Sequence, residues 1–79
     1  MRRMDEAEVR KKASERERRA RQRQAAALEL VKHAERMAAA ACSPDVAKAY
    51  REEARQAMRA ARKHEEAAVL QGMHARGEL

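Results

Sequence analysis

Alanine recurs at every seventh residue through Ala13, Ala20, Ala27, Ala34 and Ala41, and again through Ala47, Ala54, Ala61, Ala68 and Ala75. A seven-residue step returns to the same face of an α-helix after two turns, so each series marks a seam of small side chains. The two series are out of step by one residue, and the interruption falls at Cys42-Ser43-Pro44-Asp45. Pro44 is the only proline, and no glycine precedes Gly72. Ser43 suits a helix N-cap, Pro44 the first helical position, and Asp45 the first turn, where negative charge meets the positive end of the dipole. A helix running through Pro44 would lose a hydrogen bond and force Ser43 out of the α region. One helix therefore ends near Cys42 and a second begins near Pro44. The second is expected to reach about Gln71, with Gly72 as its stop and 73–79 as a frayed tail.

Folding the chain at this turn sets opposite one another residues whose numbers sum to about 88. Ala41 then faces Ala47, Ala34 faces Ala54, Ala27 faces Ala61 and Ala20 faces Ala68. Small residues facing small residues allow two helices to approach to about 8 Å. The same register brings Leu30 near Met58, Val31 near Ala57 and Ala38 near Tyr50.

A seam of alanine stabilises weakly, since each methyl buries little area at about 25 cal/mol per Å². Alanine makes up 20 of the 79 residues; only 15 others are apolar, and Tyr50 is the one aromatic. Four valines and a tyrosine cannot build a β-fold. They are also too little for a self-sufficient core, so the chain is expected to borrow one. Leu28, Ala39 and Cys42 lie to one side of the first seam, and Val46, Ala49, Ala60 and Ala67 to one side of the second. A hairpin covers neither group by itself. The expectation is an all-α antiparallel two-helix hairpin, an Ala-seamed coiled coil with a long basic N-terminal helix, dimerising as a four-helix bundle. Three regions follow: a basic, partly solvated helical arm over 1–24, the hairpin over 25–71 with its turn at 42–45, and a flexible tail over 72–79.

The net charge of +6 is lopsided. Residues 2–24 hold ten Lys or Arg against five Asp or Glu, a net +5; residues 25–79 hold nine against eight, a net +1. A basic arm on a near-neutral body calls for an acidic partner, such as nucleic acid. Within the arm, four Glu-first pairs at four-residue spacing can neutralise part of the charge: Glu6–Arg10, Glu8–Lys12, Glu15–Arg19 and Glu17–Arg21. They leave Arg2, Arg3, Lys11, Arg16, Arg18 and Arg23 free. The second helix carries its own basic stripe at Lys48, Arg51, Arg55, Arg59 and Arg62. Phosphate contacts, if made, would come from Arg16, Arg18, Arg23, Arg51, Arg55 and Arg59.

Several functions are disfavoured. A leucine-zipper DNA reader needs a leucine seam and base-reading asparagines; here the seam is alanine and Pro44 cuts it short. Tyr50 alone offers no stacking platform for single strands. The uncharged run Met37 to Pro44 has only eight residues, too few to span a bilayer. His33, His64 and His74 are too far apart for a local metal motif, and two helices make no pocket to perturb a carboxylate. No enzyme activity, metal, cofactor, small-molecule substrate or membrane partner is expected. One cysteine and a charged start with no apolar segment after it place the expected location in the cytoplasm.

The layout from Leu30 through Ser43-Pro44-Asp45 and Tyr50 to Gln71 resembles, in size, turn and its one tyrosine, the small helical-hairpin co-chaperones of type III secretion needle subunits. That resemblance covers about half the chain and implies a hairpin that shields a partner's apolar helix. The basic arm departs from it. The RNA-binding helical-hairpin dimers of plasmid copy control are a similar outline from another functional class. The leading expectation is a small non-catalytic adaptor or regulator acting by helix–helix contact with a protein partner, and self-associating as a homodimer. Leu28, Leu30, Val31, Met37, Val46, Tyr50 and Met58 form its hairpin and interface. The alternative is a nucleic-acid-binding hairpin regulator, and the third reading is a co-chaperone.

Overall fold

In the computed structural model, which describes residues 5–78, two helices pack against each other as an antiparallel hairpin. Helix α1 spans Glu6–Ala40 and helix α2 spans Pro44–Ala75. Arg2 and Arg3, with Met1, Met4 and Leu79, lie outside the described residues. The hairpin measures 60 × 21 × 16 Å with a radius of gyration of 17.8 Å. A compact chain of this length would have a radius near 12 Å, so the hairpin is a rod.

The ends of the helices follow local chemistry. Asp5 caps α1, its carboxylate accepting from the Glu8 N–H at 3.0 Å, with Glu6 and Glu8 in the first turn. Helix α1 stops two residues before Cys42, as Ala41 turns extended. Ser43 occupies the N-cap position of α2 and Pro44 the first helical position, but the serine side chain makes no capping bond. Its backbone carbonyl accepts from the Ala47 N–H at 3.0 Å instead. The helix start therefore relies on Pro44 and the extended backbone of Ser43, not on a hydroxyl cap.

The far end corrects the sequence reading. Helix α2 does not stop at Gly72; it runs on to Ala75, and Gly72 is buried in the hairpin. The stop is Gly77, at φ +73°. The Gly77 N–H donates to the His74 carbonyl and the Glu78 N–H to the Met73 carbonyl, the paired bonds of a Schellman cap. Arg76 donates to Glu78 at 2.9 Å, which holds the Glu78 carboxyl below its usual range and raises the Arg76 guanidinium.

The core is the alanine seam. Ala13, Ala20, Ala27, Ala34, Ala47, Ala61 and Ala68 are buried, and among the described residues Val31 is the one larger buried hydrophobic. Ala41, Ala54 and Ala75 are half-buried. Among the described residues no polar or charged side chain is buried. The register extends past the pairs expected from the sequence. A Cβ at Gly72 would collide with the Glu17 carboxylate, and one at Gly77 would lie 2.7 Å from the Arg10 guanidinium. Those pairs also sum to about 88; α1 runs unbroken through residues 6–24, and Ala13 and Ala20 are buried in the hairpin.

The two glycines predict opposite outcomes. The atoms nearest a new methyl at Gly72 belong to the Glu17 and Arg76 side chains, and both can swing aside. Gly72→Ala should therefore stabilise by up to about 1 kcal/mol, the usual alanine gain inside a helix. Gly77→Ala forces a left-handed conformation on a residue with a Cβ and should cost about 1 kcal/mol. Thermal melts followed by circular dichroism read both signs.

Candidate interaction surfaces

A rod with a covered seam has two long flanks, where side chains beside the seam of α1 meet those beside the seam of α2. On the first flank, near the turn, a shallow groove is lined by Leu30, His33, Ala34, Glu53, Gln56 and Ala57. Met37 lies seven residues beyond Leu30, and Val46 seven before Glu53, so both belong to this flank. Leu30 is 61% exposed, Val46 47% and Met37 37%. Tyr50 is half-buried beside the seam. This stretch is apolar and open, with Glu53 the only carboxylate in its groove.

Towards the open end of the hairpin the same flank changes character. There the groove is lined by Arg16, Arg19, Ala20, Arg23, His64, Ala67 and Gln71. Steps of three and four residues put the three arginines on one face of α1, spread over about 10 Å of axis. All three are exposed, and none joins an ion pair among the described residues.

The second flank carries Val31, Glu35, Arg51, Ala54, Arg55 and Met58, continuing to Ala38 and Ala39. Leu28, half-buried and one turn before Val31, lies here too. Leu28 and Val46, read from the sequence as parts of one interface, thus sit on opposite flanks. Arg55 donates to Glu52 through Nε at 2.9 Å, and Arg59 approaches the same carboxylate at 3.9 Å. The hydrogen bond and charge of Arg55, helped by Arg59, hold the Glu52 carboxyl below its usual value. Two of the six expected phosphate contacts are therefore partly occupied, while Arg51 is exposed on the same flank. Because its pKa is depressed on folding, the pairing of Glu52 contributes at neutral pH and is lost as pH falls below 4.5. Wild-type helicity should drop slightly over that interval, and Glu52→Gln should reduce the drop; titration by circular dichroism compares them. The effect is small because the pair is exposed.

Within the basic run, Glu6–Arg10 closes at 2.7 Å as the spacing predicts. Glu15–Arg19 and Glu17–Arg21 form no ion pair; Glu17 turns across the hairpin to the space left by Gly72, where its charge acts on Arg76. Arg18 lies two residues from Arg16, on the far side of α1 from the groove. The sequence reading missed Arg19 and His64, because spacing pairs the first with Glu15 and the second is weighed there only as a metal ligand. It also passed over a patch on the outer end of α2, where Val69 and Leu70 are exposed beside Met73, Glu65 and Glu66. Cys42 is an exposed free thiol at the turn.

Among the described residues no cluster of three or more His, Cys, Asp or Glu could hold a metal, and no helix is long and apolar enough to cross a membrane. No protein-family model, curated protein or solved structure matches the chain.

Proposed function

We propose that the chain is a small non-catalytic interaction protein that works by helix–helix contact, through the turn-proximal half of the first flank. The observation that carries this reading is the exposure of Leu30, Met37 and Val46 on one flank, over a groove with alanine at its floor. Small residues let a partner helix come close, and the three larger ones supply knobs to pack between its side chains. The second flank is the poorer candidate, because Glu35, Arg51 and Arg55 would each lose water on docking.

The partner is a second copy of the hairpin. Its own flank offers the same knobs and the same small-residue floor, and a two-fold axis between the copies yields a four-helix bundle. The weak alanine core makes such sharing energetically useful. If a dimer forms, the melting temperature rises with protein concentration, since association stabilises the folded chain by mass action. A melting temperature independent of concentration from low to high micromolar would overturn self-association on this flank.

A further inference from the structure

We infer that the open end of the first flank binds the phosphate backbone of a nucleic-acid duplex, with Arg16, Arg19 and Arg23 as the contacting cations. The groove they line contains no carboxylate, and no ion pair among the described residues occupies them. Their guanidiniums form a regular row along one helix face, and each is a planar fork that matches two phosphate oxygens. His64 and Gln71 stand across the groove on α2 with further polar groups. Ala20 and Ala67 are its only apolar lining. With nothing larger than a methyl to hold a protein's anchoring side chain, the contact is electrostatic and follows a backbone rather than a protein surface. The groove contains no aromatic on which unpaired bases could stack, which favours a duplex over a single strand.

This differs from the set read from the sequence. Arg18 faces away, Arg55 and Arg59 share Glu52, and Arg19 joins the row. The inference uses residues separate from Leu30, Met37 and Val46, so it stands or fails independently of self-association.

Fluorescence anisotropy of a labelled random-sequence DNA duplex, titrated with the full chain at several salt concentrations, tests it. Two triple variants remove equal charge: Arg16→Gln/Arg19→Gln/Arg23→Gln from the groove, and Lys11→Gln/Arg18→Gln/Arg21→Gln from the remaining faces of α1. All six residues are exposed, so circular dichroism should show both variants as helical as wild type. The groove variant should lose at least tenfold in affinity and lower the salt slope by about 3, roughly one per lost phosphate contact. The other should change the slope by less than about 1. Equal losses in the two variants, no duplex binding at physiological salt, or equally tight binding of polyglutamate at matched charge would each overturn the assignment.

Discussion

Ala68→Leu should destabilise the hairpin by about 2–3 kcal/mol, while Ala67→Leu, one residue away, should change stability by less than about 0.5 kcal/mol. The two substitutions are chemically identical and differ only in the side of α2 they occupy. Ala68 is 0% exposed in the seam, whereas Ala67 is exposed. A leucine at Ala68 must push the helices apart or strain its own rotamer, and either response loosens the seam alanines around it. A rod with one packed interface has little stability in reserve, so a loss of that size can unfold it. At Ala67 the added side chain meets solvent. Denaturant melts of both variants measure the contrast. Equal small effects would mean that the helices are not held at the alanine-to-alanine approach.

Leu30→Glu combined with Val46→Glu should abolish dimerisation without loss of helix. Each residue lies outside the seam, so the monomer keeps its buried alanines. Burying a leucine or valine contributes about 1.5–3 kcal/mol, and a two-fold interface counts each substitution twice. Placing carboxylates there adds a desolvation cost and sets like charges against each other. Counted over both copies, the combined loss is comparable to the free energy of a micromolar dimer, about 8 kcal/mol. Leu28→Glu, on the other flank, should leave the dimer intact. This contrast replaces the pairing of Leu28 with Val46 that the sequence alone suggested.

Those residues also show what a linear reading can and cannot supply. The turn, the seam and the antiparallel register were legible, because proline and alanine at fixed spacing carry their own geometry. Sidedness was not. Whether Leu28 and Val46 share a flank depends on how the two seams face each other, and seven-residue spacing within one helix leaves that undetermined. The helix end was misread for a different reason. Gly72 and Gly77 are equally good stops by composition, yet Ala75 continues the second series past Gly72 and was the available signal that the helix goes on. The basic groove was half visible. Local spacing assigned Arg19 to Glu15 and Arg21 to Glu17, but Glu17 instead turns across the hairpin towards α2, a competition that no count along one helix contains.

The two functional assignments divide the first flank by chemistry, apolar near the turn and cationic at the open end. A dimer formed through the apolar half would carry two arginine rows, and duplex binding would then gain from having both engaged at once. The groove variant should lose affinity for nucleic acid while still dimerising, and the Leu30/Val46 variant should bind more weakly only through the loss of its second row.

Sedimentation equilibrium of the full chain tests the central claim most directly, with wild type, Leu28→Glu and the Leu30→Glu/Val46→Glu variant run over the same concentrations. The predicted result is a reversible approach to twice the 9.0 kDa chain mass for wild type and Leu28→Glu, and a single-chain mass for the double variant at unchanged helicity. A wild-type chain that stays at 9.0 kDa throughout, or a dimer that survives both glutamates, would contradict it.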